Sequence, residues 1–161
     1  MPDKVTDQFL HESIQLEINV SDLYQLFYMK FPDDSEFWWQ LSLEEVNHAA
    51  LLRSINDLFL PEKILPRNIL EKLSEEISKA NQSIRERISR YKLNTPSRSE
   101  AFTYAYQLEL SAGEAHYEMF MNEIPESNVE KIFQKLNGED KNHANRIDEY
   151  MKLNKIARNR L

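Results

Sequence analysis

The run Leu43-Glu-Glu-Val-Asn-His48, continued by Ala49-Ala-Leu-Leu52, constrains the fold of this chain more than any other stretch. Glu45 and His48 stand three residues apart, so on an α-helix both leave the same face about one turn from each other. The rest of that face is apolar, with Trp38, Leu41, Leu52, Ile55 and Phe59 on one stripe. An acid and an imidazole therefore occupy positions where core residues are expected. A carboxylate buried without a partner is heavily penalised, so any fold containing this helix must supply one or keep the group neutral.

Helical periodicity extends over most of the chain. A first helix is predicted from about Thr6 to Lys30, ending at Pro32, with the inward stripe Leu10, Ile14, Glu17, Ser21, Tyr24 and Phe27. Asp33-Asp34-Ser35 offers an N-cap for the helix that carries Glu45 and His48 and stops before Pro61. Residues 61–98 form a connecting segment with a helix of its own. Ile69, Leu73, Ile77, Ala80, Ile84, Ile88 and Tyr91 recur there in steps of four, four and three, among densely charged faces. This pattern suits a solvated helix covering one groove of its own bundle. Ser97-Arg-Ser-Glu100 is a capping-box spacing, and the helix after it reads Phe102, Ala105, Tyr106, Glu109, Ala112, Gly113, His116, Phe120, ending by Pro125. Ser127-Asn-Val-Glu130 is a second such box, followed by Val129, Ile132, Phe133, Leu136, Asp140, His143, Ile147 and Tyr150.

Asp140 and His143 repeat the spacing of Glu45 and His48. Each pair follows, at a nearly equal interval, a helix with a single acid on its apolar stripe: Glu17 in the first half, Glu109 in the second. One acid-x-x-His pair is common by chance; two in this setting form an internal repeat. Packed as a four-helix bundle, the six side chains can converge on one point, as they do in ferritin-like carboxylate proteins. Hard carboxylate oxygens with neutral imidazole suit two iron ions, or manganese. The Asn137-Gly138 pair is also a turn signal, but the stripe keeps its register across it and one continuous helix is predicted. Gly113 and Gly138 are read as leaving room for metal, water or a small oxidant. His116 is read as a core histidine, His11 as surface, and Glu44, Glu114 and Glu139 as solvated acids on flanking faces.

The stretches FWWQLSLEEVNHAALL, AYQLELSAGEAHYEMF and IFQKLNGEDKNHANRI, with Glu17 and Tyr24 before them, resemble the rubrerythrin-type branch of the ferritin-like superfamily. The resemblance implies an all-α fold, a single domain over 1–161, with four bundle helices and residues 61–98 as a long crossover carrying an extra helix. It implies metal ligation and catalysis by Glu17, Glu45, His48, Glu109, Asp140 and His143, with Glu45 and Asp140 bridging and Glu17 and Glu109 terminal. The implied activity is that of a non-haem di-iron oxidoreductase reducing peroxide or dioxygen. Asp140 stands where glutamate is usual, which shortens its reach and weakens the expected second metal. Ala112 stands where a further glutamate is usual, bringing the set closer to the symmetric sites of bacterioferritins. Two alternatives remain: a ferroxidase or iron-handling protein with the same ligands, and a non-enzymatic scaffold binding a partner through the crossover helix.

Composition narrows the remaining choices. The 161 residues contain no cysteine, which removes disulfides, thiol catalysis and cysteine-held clusters, including those of a rubredoxin-like domain. Electrons are then expected from a separate donor protein or from the bound iron. Net charge is −7 with no basic patch, so nucleic acid is not an expected partner. No run of about 20 apolar residues or signal-peptide pattern is present, so no membrane partner is expected. A cytoplasmic homodimer is the expected form.

Overall fold

The computed structural model describes residues 4–58, 66–116 and 128–161. Five α-helices carry them: α1 (Lys4–Lys30), α2 (Ser35–Leu58), α3 (Arg67–Leu93), α4 (Arg98–His116) and α5 (Asn128–Leu153). A single 3₁₀ turn, Pro32–Asp34, joins α1 to α2. The described residues include no strand, and no helix among them is long and apolar enough to cross a membrane. Phe59, Pro61, Phe120, Pro125 and Ser127, and the side chains of Ala112, Gly113, Glu114 and His116, lie outside the described residues.

α1 is the axis of the assembly. It packs antiparallel against α2, with Ser21 Oγ 3.1 Å from Ser42 Oγ and the rings of Tyr24 and Trp38 5.4 Å apart. On its other side it runs parallel to α3, where Phe27 meets Tyr91 at 5.9 Å and Asn19 Nδ2 donates to Asn81 Oδ1 at 2.9 Å. Being covered twice, α1 buries far more than one stripe: Leu16, Asn19, Val20, Leu23 and Leu26 are buried beside the predicted Leu10, Glu17, Ser21, Tyr24 and Phe27. Ile14 stays half-buried.

α3 lies along α1 in the same direction, and its buried face is shifted from the predicted one. Leu70, Ser74 and Asn81 are inside with Leu73, Ile77, Ile84, Ile88 and Tyr91, whereas Ile69 and Ala80 are half-buried. Asn81 is admitted because it is satisfied, also donating to the Glu12 carbonyl at 3.0 Å and to Glu12 Oε2 at 2.9 Å. Each fully buried aliphatic residue on this face contributes about 1.5–3 kcal/mol. The apolar stripe of α3 is thus spent on α1.

α4 and α5 pair antiparallel, and α5 lies antiparallel on α2. Three contacts fix the second register: Phe37 on Tyr150 with ring centroids at 4.1 Å, Glu44 on His143, and His48 on Glu139. Asp34, which immediately precedes α2, joins three elements. Its carboxylate takes two bonds from Arg98, at 2.8 and 2.6 Å, and one from Tyr150 at 2.8 Å. At the start of α4 the Glu100 amide donates to Ser97 Oγ at 3.0 Å, while the Glu100 carboxylate accepts from the Tyr91 hydroxyl at 3.0 Å. The capping box is half made, because the glutamate is used to bind α3. α5 runs unbroken through Asn137-Gly138, as its register predicted.

Candidate metal centre

Glu17 on α1, Glu45 and His48 on α2, Glu109 on α4 and Asp140 and His143 on α5 are all buried, none more than 4% exposed. Each sits where its helix turns inward. The i, i+3 spacing puts acid and histidine on one face, and the antiparallel register of α2 on α5 sets the two pairs opposite each other. The imidazoles stack nearly parallel, 13° apart in plane with centroids at 5.3 Å.

The donor atoms fall into two groups that share one residue. Glu17, Glu45, His48 and Asp140 form the first, and Glu45, Glu109 and His143 the second. Within each group the donor atoms lie within 4.8 Å of one another. His48 Nδ1 is 3.1 Å from Glu45 Oε2, 3.4 Å from Glu17 Oε2 and 3.9 Å from Asp140 Oδ1. His143 Nδ1 is 2.7 Å from Glu45 Oε1 and 3.5 Å from Glu109 Oε1. Glu45 thus presents one oxygen to each histidine. Glu45 is common to both groups, and Asp140 stands in the first, among the described residues.

Electrostatics show how the cluster stands without an ion. Burial raises Glu45 to about 8, reinforced by the charge of Glu109. Asp140 is also raised, by burial first and then by Glu17, Glu109 and Glu45. Burial acts to lower His48, but its bonds to Glu17 and Glu45 outweigh this and hold it at about 11. His143 is raised in the same way by Glu109, Glu44 and Glu45 against the effect of burial. The cluster therefore neutralises itself by retaining protons. One pair is poorly served even so. Glu45 Oε1 and His143 Nδ1 face each other at 2.7 Å, yet neither has a hydrogen-bond partner of acceptable geometry. Two buried donor atoms converging in this way, among four acids and two imidazoles, fit a pair of divalent cations.

The surrounding side chains hold the cluster in place. Tyr24 Oη donates to Glu109 Oε1 across α1 and α4. The Tyr24 phenol is held well above its ordinary pKa, by burial first and by the Glu109 charge next, and so remains a donor. Glu44 and Glu139, read from sequence as solvated, are half-buried and each touches a histidine of the opposite helix. Glu44 Oε2 lies 2.7 Å from His143 Nε2, and Glu139 Oε2 lies 2.7 Å from His48 Nε2. Each immediately precedes the motif acid of its own helix, in Glu44-Glu45-x-x-His48 and Glu139-Asp140-x-x-His143. Arg146 Nη1 also binds Glu44 Oε2, at 2.6 Å. Together the histidine and arginine bonds lower Glu44 to about 2, the His143 bond first. Outside the histidines lies an open cavity of about 410 Å³, lined by Glu44, Asn47, Lys135, Glu139 and Asn142 as well as the two rings. Gly138 does not make room for the cluster: it is exposed, and an added Cβ would meet nothing within 4 Å. His11 is exposed, as expected.

Searches against protein-family models, curated proteins and solved structures gave no match.

Proposed function

We propose that this chain is a ferritin-like, carboxylate-bridged di-iron oxidoreductase of rubrerythrin type, consuming peroxide or dioxygen. The observation that carries the reading is the convergence of four buried acids and two buried histidines, from four helices, into two donor groups joined by Glu45. Glu17, Glu45, His48 and Asp140 would hold one ion, and Glu45, Glu109 and His143 the other. Manganese suits the same donors. Bound as a ferrous pair, the ions would supply the two electrons that reduce peroxide to water.

The protein residues contribute charge balance, donor orientation and exclusion of bulk water. Glu45, raised to about 8 by burial in the metal-free fold, would serve both donor groups as a carboxylate once its proton is displaced. Each histidine turns Nδ1 inward while Nε2 faces a glutamate. Tyr24 keeps Glu109 oriented by donating to its Oε1, the oxygen that also lies 3.5 Å from His143 Nδ1. Among the described residues the group containing His143 has three donors against four around His48, which would leave it the more open to an exogenous ligand. The electron donor would be a separate protein that reaches the bundle from outside.

Anaerobic reconstitution with ferrous iron, followed by metal analysis, tests the reading. About two irons per chain, lost in Glu45→Ala, and peroxide consumed in proportion to ferrous iron oxidised are expected. Negligible iron binding by the wild-type chain refutes it. Rapid growth of a ferric mineral under excess iron and air, in a large hollow assembly, would replace the oxidoreductase with an iron-storage role.

A further inference from the structure

Two polar side chains in the core are not used by the metal centre. Ser13 on α1 and Asn137 on α5 are both fully buried. Ser13 Oγ, Asn137 Oδ1 and Asn137 Nδ2 have no hydrogen-bond partner among the described residues. Buried polar atoms are paired in the great majority of cases, so three in one region call for an explanation. The helical repeat brings them together. On α1, Phe9, Ser13 and Glu17 recur every four residues; on α5, Phe133, Asn137 and Asp140 follow in steps of four and three. The ends of the two stripes meet. The rings of Phe9 and Phe133 have centroids 5.5 Å apart, and Glu17 and Asp140 share a donor group whose atoms lie within 4.8 Å of one another. Ser13 and Asn137 are the pair between, at one level of the bundle.

We propose that Ser13 and Asn137 form a binding site for a buried water molecule that joins α1 to α5. In the layer to one side, two aromatic rings span the distance between these helices. A hydroxymethyl group and a carboxamide are shorter, and they leave room where the rings fill it. No direct bond joins Ser13 to Asn137, and one such bond would still leave part of the amide unpaired. A water can answer all three atoms. The hydroxyl both donates and accepts, Oδ1 accepts and Nδ2 donates, which matches the two donors and two acceptors of water. Three polar partners is also the usual number for a water held inside a protein. The site is one helical turn from Glu17 and Asp140, the residues by which α1 and α5 enter the first donor group. Neither Ser13 nor Asn137 lines the open cavity outside the histidines, so this water is separate from the solvent there.

Metal-free full-length protein provides the test, so its outcome is independent of the di-metal reading. In ¹⁵N-labelled wild-type protein, the side-chain amide protons of Asn137 should show cross-relaxation with water of the sign given by a long-lived bound molecule. Thermal melts of Ser13→Ala and Asn137→Leu add a test of sign. With a water bound, each variant takes away one of its partners and leaves the other residue poorly paired, so Tm falls by about 2–4 °C. With no water bound, each variant merely replaces an unpartnered buried polar group by an apolar one, and Tm rises. The two substitutions combined should cost less than the sum of the single losses, because the water is given up only once. No long-lived water signal at Asn137 in the wild-type protein overturns the proposal, and so does a raised Tm in both single variants. Should a variant fail to fold, the wild-type spectrum decides alone. Failure of the chain to bind iron would overturn the di-metal reading and leave this site standing.

Discussion

Asp140→Glu tests whether the two halves of the cluster differ because of a single methylene. In the wild-type chain the Asp140 carboxylate lies 3.9 Å from His48 Nδ1 and shares no donor group with His143, whereas Glu45 reaches both histidines. Glutamate at 140 extends the arm by roughly 1.5 Å, one carbon–carbon bond, enough to offer an oxygen to the three-residue group. Removing a partner that only orients a ligand costs about 10- to 100-fold in affinity; adding a direct donor is worth at least that, about 1.4–2.8 kcal/mol. The same methylene crowds a packed interior and costs the metal-free form about 1–3 kcal/mol, or about 2–4 °C in melting temperature per kcal/mol for a chain of this size. The expected result is a crossover: the variant melts below wild type without metal, and binds the second ferrous ion more tightly. Anaerobic calorimetric titration and paired thermal melts measure both. Two equal wild-type affinities, or a second site in Asp140→Glu no tighter than before, refute the assignment of Asp140 to one side.

Further outcomes follow from the same geometry. Glu45 and His48 are both raised in the metal-free fold, to about 8 and about 11. The Glu45 contribution is complete below its unfolded value near 4.5 and lost as pH rises through 8; that of His48 is complete below about 6.5 and lost through 11. Metal-free melting temperature should therefore fall from pH 5 to pH 9, and iron affinity should rise over the same range as protons are displaced. A metal-free protein that gains stability across this range contradicts the buried-proton account. Tyr24→Phe keeps the packing against Trp38 but frees Glu109, so it should cost about 1 kcal/mol of stability and weaken the second ion more than the first; uniform weakening in the iron titration argues against it. Asp34→Ala removes the shared acceptor of Arg98 and Tyr150, and because the Arg98 side chain is 41% exposed and can turn to water, it should cost about 1.5–3 kcal/mol in urea unfolding.

Much of this architecture was legible because it is local. An acid and a histidine at i and i+3 must share a helix face wherever the helix lies, so Glu45 with His48, and Asp140 with His143, could be placed inward from sequence alone. The continuity of α5 through Asn137-Gly138 was legible for the same reason, since the stripe keeps its register across the pair. The face of α3 was misplaced because its inner positions include Ser74 and Asn81. A count of apolar residues rejects an asparagine whose partner, Asn19, is on another helix. The second use of Asp34 was hidden for the same reason: its partners, Arg98 and Tyr150, are remote in the chain.

The contacts of Glu44 and Glu139 depend on one further piece of information, the register of α2 on α5. Read along its own helix, each points away from the stripe and belongs to solvent. The antiparallel register set by Phe37 on Tyr150 brings each within 2.7 Å of the facing histidine, and the two contacts are equivalent because the helices run in opposite directions. The same register places Glu45 in both donor groups and Asp140 in one, among the described residues. The contacts across the helix pair are therefore close to two-fold while the donor set is not. Under the proposed reading, two equally tight ions would gain from glutamate at 140, whereas admitting an oxidant beside a retained ion would be better served by the aspartate.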